Sequence, residues 1–345
     1  LVEGRRLEDL MRDDEIPAFE RWRRKYGEPL SPIWGTGLMS PEEWRGARQS
    51  TVNAFFTSPE LARAMWRIAE RLGFSGGRVL EPSAGSGVFL GTMPEHLARK
   101  SKISCVELEP LTGQLLQALY PDADVQIAGF EGAKRIDDNA FDLIISNFPF
   151  GDYAVFDPRY KSCSNQSIHN YFFSRSLEAL SPGGLIIALT SHYTMDASTA
   201  ASIRKNWEKK ADLVGAVRLP KTAHRESGTE VVSDIIILKK KGGPELKNYN
   251  YELFRHSMPI AIDGEAGSSN EYGISINEYF IQHPEMILGK NSASGSMYGG
   301  YEYTVLPNER ELGVELSEAI SRLPEREAVK RGVIVEDNEN MSDES

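Results

Sequence analysis

A chain of 345 residues with 40% hydrophobic and 26% charged residues has the composition of an ordinary α/β protein, with room for one large domain plus extensions. Its formal charge of −11 argues against a free-standing nucleic-acid clamp, because Lys and Arg on phosphates dominate such affinity, but leaves DNA open as a substrate. Cys105 and Cys163 are the only cysteines and the six His show no ligand spacing, which excludes a disulfide framework and a multi-cysteine zinc site, so metal-free chemistry is expected.

No apolar run reaches the roughly 18 residues of a membrane-spanning helix, so a cytoplasmic protein is expected. The first residue is Leu1, and the chain ends in a polar run rich in Glu and Asp, from Glu325 through Glu336 and Asp337 to Glu344; a fragment of something longer is expected.

Taken in chain order, residues 1–49 mix charge with Trp22, Trp34 and Trp44 and read as a helical extension. A helix then starts at Ser58 as N-cap with Pro59 in its first turn, runs on a stripe of Leu61, Met65, Ile68 and Leu72, and stops at Gly73. Strand candidates follow at 78–81, 103–107, 125–128, 141–146, 185–190, 213–219 and 234–239, with helix candidates at 111–120, 169–180 and 197–210. Strands apolar on both faces and separated by helices predict a doubly wound, mostly parallel, seven-stranded α/β sheet of Rossmann-like type. The polar segment 221–232 carries no convincing helix, so the last two strands are expected to be antiparallel. This domain is expected over 50–243, a C-terminal extension over 244–335 with a short ordered stretch at Asn277 to Phe280, and a disordered tail over 336–345.

The first strand leads into Glu81-Pro82-Ser83-Ala84-Gly85-Ser86-Gly87. Glycines at 85 and 87 let a backbone approach a nucleotide-like ligand closely. The turn has no Gly-Lys-Ser/Thr for a P-loop and lacks the third glycine of a dinucleotide fingerprint, since Leu90 stands there. An acid at Glu81 suits a cationic ligand such as S-adenosylmethionine and would repel a pyrophosphate. Glu107, ending the second strand, is placed to accept from ribose hydroxyls.

The fourth strand runs into Asn147-Phe148-Pro149-Phe150. An exocyclic amine conjugated with its ring is a poor nucleophile until two acceptors draw it toward tetrahedral geometry; the Asn147 side-chain oxygen and the Phe148 carbonyl can do this. Pro149 would fix the turn and Phe150 stack on an extruded base. The chemistry indicated is methyl transfer. The following stretch holds Tyr153, Phe156, Arg159, Tyr160 and Lys161, suited to stacking and phosphate contact, and His192 follows the fifth strand at the cleft edge without an assigned role.

Glu81 to Gly87, Val106-Glu107-Leu108-Glu109-Pro110 and Asn147 to Phe150 together resemble the signatures of N6-adenine DNA methyltransferases, and Phe56-Thr57-Ser58-Pro59 resembles the segment preceding their first strand. Asn147 to Asp152, Ser167 to Phe173 and Asn277-Glu278-Tyr279-Phe280 more closely resemble the methylase-like region of large methylase-helicase fusion proteins of phages and mobile elements. The resemblance implies a SAM-dependent methyltransferase with DNA as substrate and a helicase region of the same polypeptide as partner. It also implies that Thr57 and Pro59 flank the methionine part of the cofactor, that Glu107 holds the ribose and that Phe130 lies against the cofactor adenine. Two positions depart from the pattern. Phe148 replaces a proline, which keeps the carbonyl but is expected to loosen the turn, and Gly129 replaces the acid before Phe130, so that adenine recognition is expected to be weakened or to pass to Glu131. Two alternatives stay open: methylation of a protein glutamine, whose amide nitrogen is equally delocalised, and a catalytically weak module that binds SAM or DNA within a larger machine.

Overall fold

The computed structural model describes residues 57–151, 153–227, 231–243, 254–260, 262, 274–295 and 301–325. The expected extension over 1–49 and tail over 336–345 lie outside the described residues.

Helix α1, Pro59–Arg71, begins as its sequence dictates: Ser58 Oγ accepts from the Leu61 amide at 3.2 Å and Pro59 takes the first turn, where a missing N–H costs nothing. Gly73 ends it with φ of +85°, a conformation that Cβ-bearing residues rarely adopt. The buried stripe of α1 covers a sheet of seven strands: β1 Gly77–Glu81, β2 Ser101–Glu107, β3 Asp124–Ile127, β4 Phe141–Asn147, β5 Leu180–Ser191, β6 Ala211–Leu219 and β7 Ser233–Lys240.

Their order is β3-β2-β1-β4-β5-β7-β6. Strands β1 to β5 pair in parallel, and β7 lies between β5 and β6, antiparallel to both. The expected antiparallel last pair is therefore present, and the described part of its connection carries 3-10 turns over Lys221–Ser227. Central strands are buried on both faces, as at Leu143 to Ile145, Leu185 to Leu189 and Ile235 to Leu238, which is why they read as unbroken apolar runs. Between β1 and β3 lie the short helices α2 Val88–Thr92 and α3 Glu95–Ala98, then α4 Pro110–Leu119; helix α5 Ile168–Ala179 precedes β5. Strand order reverses between β1 and β4. At such a switch point the connections leave to opposite sides and open a crevice at the strand ends.

The helix expected over 197–210 is shorter. After α6, Tyr193–Asp196, a 3-10 turn at Ser198–Ala200 leads into α7, Ala201–Trp207. Arg204 interrupts any purely helical logic there: fully buried, it donates to the carbonyls of Thr194, Ala197 and Arg255.

The extension is built onto the same core. Strands β8 Ser257–Pro259 and β9 Ser275–Asn277 pair antiparallel, Asn277 caps helix α8 Glu278–Gln282, and Leu288 donates to the Arg218 carbonyl of edge strand β6 at 2.9 Å. The antiparallel pair β10 Lys290–Gly295 and β11 Tyr301–Leu306 follows. Helix α9, Leu312–Arg322, then returns to α1, where Arg71 donates to the carbonyls of Ser321 and Leu323 at 2.8 Å.

Candidate active site

The crevice at the switch point is lined by the ends of β1, β2 and β4. Glu81, the last residue of β1, is 1% exposed, and its Oε2 has no hydrogen-bond partner among the described residues. Burial, with Glu107 adding to it, holds its carboxyl well above the usual carboxylate range. Burial also raises Glu107, whose two oxygens accept from the Gly85 amide at 2.7 Å and the Glu109 amide at 2.8 Å. Two neighbouring acids with no cation between them favour a ligand that brings positive charge.

The two glycines of the turn serve different ends. Gly85 has φ of +52°, and no atom of the described residues lies within 4 Å of where a Cβ would stand, which leaves room over it for a ligand. At Gly87, with φ of +83°, a Cβ would come within 2.6 Å of Leu116 Cδ1 and 2.7 Å of Tyr120 Cε2. That glycine is demanded by the packing of α4. Pro82 is buried in the turn and Ser83 half-buried. The observed cradle, an orphaned buried acid beside an open backbone, fits a sulfonium- and amine-bearing nucleoside.

Thr57 is buried just ahead of α1, and Pro59 is exposed in its first turn; no described hydrogen bond joins either to the glycine turn. Phe130 is 2% exposed, packed against Tyr171 and Phe172. The Glu131 carboxylate folds back over Gly129 into the space a Cβ would take there, so an acid does stand beside the Gly129 backbone.

At the end of β4 the Asn147 side-chain oxygen is buried, while Pro149 and Phe150 are half-buried. Phe148 differs from expectation. Its ring is fully buried against Phe172 and Phe173, and its amide donates to the Leu189 carbonyl at 2.8 Å, a bond a proline could not make. The turn is tethered, not loose. On the other side of the same peptide, Ser83 Oγ donates to the Asn147 carbonyl at 2.8 Å and lies 2.9 Å from Ser146 Oγ. No described residue donates to the Phe148 carbonyl.

The segment after the tetrapeptide is organised around Asp157, fully buried, which accepts from Tyr171 Oη at 2.8 Å and from the amides of Arg159 and Tyr160. Arg159 Nη2 donates to the carbonyls of Glu131 and Ala133 at 2.9 and 2.7 Å, and Tyr160 donates to Asp138 while its ring stacks 3.7 Å from the Arg175 guanidinium. These groups tie the loop to the segment after β3. Lys161 is exposed with no described polar partner, and Tyr153 and Phe156 are exposed at 52% and 69%.

His192 is buried, its Nδ1 3.0 Å from Asp196 Oδ2, and stacks on Tyr193. Behind it lies a network that sequence reading missed. Arg218, fully buried, bonds Asp234 through Nε and Nη2 at 2.8 Å and Asp196 through Nη2 at 2.9 Å, under the ring of Phe280 at 4.1 Å. Asn277 joins through its amide to Asp196 at 2.8 Å. A signal existed: Arg218 and Asp234 are charges inside otherwise apolar strands.

Among the described residues no group of His, Cys, Asp and Glu could hold a metal ion, and no helix is long and apolar enough to cross a membrane.

Known proteins align with this architecture. The chain is 30% identical over 199 residues to the Defense against restriction protein B of Escherichia phage P1, covering 56% of this chain and 9% of that protein. It is 28% identical over 196 residues to the rRNA N(6)-adenosine-methyltransferase metl-5 of Caenorhabditis elegans, covering 54% and 87%. Among solved structures, the type I restriction-modification system methyltransferase subunit from Streptococcus thermophilus is 19% identical with a TM-score of 0.44, covering 54% of this chain and 45% of that one. The pattern of the N-6 DNA Methylase family matches residues 45–248, a segment holding both the glycine turn and the tetrapeptide. With more than half of its length matched, the chain belongs to the N-6 DNA methylase family, a group of N6-adenine methyltransferase-like proteins with phage relatives, and S-adenosylmethionine is its cofactor.

Proposed function

We propose that this chain transfers a methyl group from S-adenosylmethionine to the exocyclic N6 amine of adenine in DNA. The observation that carries this reading is the end of β4 at the switch point, where the Asn147 oxygen and an uncommitted Phe148 carbonyl stand beside the open cradle of Gly85 and Glu81. When bound, the cofactor supplies an electrophilic methyl group. Glu81 would face its positive charge, Glu107 its ribose, and Phe130 with Glu131 its adenine end. Asn147 Oδ1 and the Phe148 oxygen would each accept one N–H of the target amine, directing its lone pair at the methyl group. The methylated amine is acidic enough to lose its proton to water, so no strong base is needed. Phe150 would stack on the extruded base, with the exposed Tyr153, Phe156 and Lys161 on the path of the strand.

In this reading residues 50–243 form the catalytic domain and 244–335 an extension that steadies it. The 9% share of the phage relative fits a chain that works as one part of a longer polypeptide, with a helicase region as its neighbour. The test is methyl transfer from labelled cofactor to DNA, RNA or protein extract, followed by identification of the labelled group. N6-methyladenine in DNA is the expected product, and Asn147→Ala should lower turnover about 100-fold with cofactor affinity unchanged. Label in a glutamine side chain, or in RNA alone, would replace this substrate with another. Binding of cofactor and DNA without transfer would leave a binding module.

A further inference from the structure

We propose that Ser83, a residue of the cofactor turn, is a positioning residue for the catalytic peptide Asn147–Phe148; this deepens the function proposed above and rests on it. The peptide is clamped on both edges: its carbonyl accepts from Ser83 Oγ at 2.8 Å and its N–H donates to the Leu189 carbonyl at 2.8 Å. A serine hydroxyl has one hydrogen to give. Since that hydrogen goes to the Asn147 carbonyl, the 2.9 Å contact between Ser83 Oγ and Ser146 Oγ is a donation from Ser146, which is fully buried. The result is a directed chain of two hydroxyls ending on the catalytic peptide, each bond polarising the next.

The clamp holds ψ of Asn147 and φ of Phe148, two of the torsions that set the Phe148 carbonyl relative to the Asn147 side chain. Those two groups are the proposed acceptors for one amine, so their relative angle decides whether both can reach it. A proline ring would fix the second torsion covalently; here hydrogen bonds do the work from two neighbouring segments. One partner is supplied by β5. The other lies two residues before Gly85, whose amide is held by Glu107. The acceptor geometry is therefore assembled by the same short turn that cradles the cofactor.

The experiment is hydrogen exchange at the Phe148 amide, read together with cofactor calorimetry, thermal unfolding and methyl-transfer kinetics. Ser83→Ala leaves the Asn147–Phe148 peptide held from one side only, and loss of one hydrogen bond should speed Phe148 exchange about fivefold to tenfold. Turnover should fall by a similar factor while the cofactor Kd stays within about twofold and Ser83→Thr, which keeps the hydroxyl, restores both readouts. Ser146→Ala removes only the first hydroxyl of the chain and should speed exchange by a smaller factor, about twofold. Wild-type exchange in both alanine variants, or a loss confined to cofactor affinity, would overturn the assignment and leave Ser83 to cofactor binding alone. A wild-type protein silent on adenine would sink the proposed function, yet the exchange result would still decide whether the clamp exists.

Discussion

Two pairs of carboxylates, three of them buried and Glu107 half-buried, stand at the same edge of the sheet, and only one pair holds a cation. On the β6–β7 side, Asp196 and Asp234 hold the Arg218 guanidinium between them. Burial alone would raise Asp196, but Arg218 and then His192 outweigh it and hold that carboxyl below its usual range, whereas at Asp234 burial still outweighs Arg218 and leaves the carboxyl raised. On the β1–β2 side, Glu107 accepts from backbone amides, no described hydrogen bond reaches the Glu81 carboxyl, and burial leaves both raised. A buried charge without its counterion costs far more than a paired one, so a protein keeps such a site only where something else supplies the charge. The paired end holds the extension in place through Asn277 and Phe280. The unpaired end is the one proposed above for the cofactor.

The largest effect that would break this contrast comes from removing the cation of the paired end. Arg218→Met strands two buried acids and should cost about 3–5 kcal/mol in urea unfolding. A loss near zero would mean that water reaches the network. Next comes Phe148→Pro, which empties the space between Phe172 and Phe173 and removes the amide bond to Leu189; by analogy with large core deletions it should cost about 3 kcal/mol. Its methyl-transfer rate should fall, where a loose turn would have gained from the ring.

The unpaired end is sharpened by Glu81→Gln, tested without cofactor. An acid raised by folding weakens stability as pH climbs from the unfolded value toward the folded one, because only the unfolded chain ionises freely there. The variant should therefore unfold at a higher temperature than wild type at neutral pH, with the gain disappearing as pH falls below about 4.3, where both states carry the proton. Cofactor affinity in calorimetry should drop about tenfold or more, as expected for a lost hydrogen bond to a charged group. Equal stability at all pH values would return Glu81 to the ordinary acids.

The smallest effect separates two basic residues of the loop after the tetrapeptide. Arg159 already donates to two carbonyls, whereas Lys161 has no described partner. Lys161→Ala should lower the salt slope of DNA binding by about one unit and Arg159→Ala should leave the slope unchanged. An equal drop for both would make Arg159 a phosphate ligand in spite of its internal bonds.

What the sequence determined by itself is local. The Ser58–Pro59 start and Gly73 stop of α1, the apolar runs of β4, β5 and β7, and the acid-then-glycine turn each depend on neighbours a few residues away, where caps, periodicity and backbone freedom are legible. The antiparallel pairing of β6 and β7 was legible for the same reason. What tertiary structure decided is which groups meet across long separations: Ser83 with Asn147, 64 residues on, Arg218 with Asp196 and Asp234, and Asn277 with Asp196, 81 residues back. Arg159 and Tyr160 carried the composition of a ligand-binding loop, yet their donors are engaged by the segment after β3, which no spacing along the chain reveals. Phe148 is the clearest division: its place in the tetrapeptide was visible from the sequence, while its turn is tethered by hydrogen bonds to β5 and to the turn after β1, which only the folded sheet brings beside it.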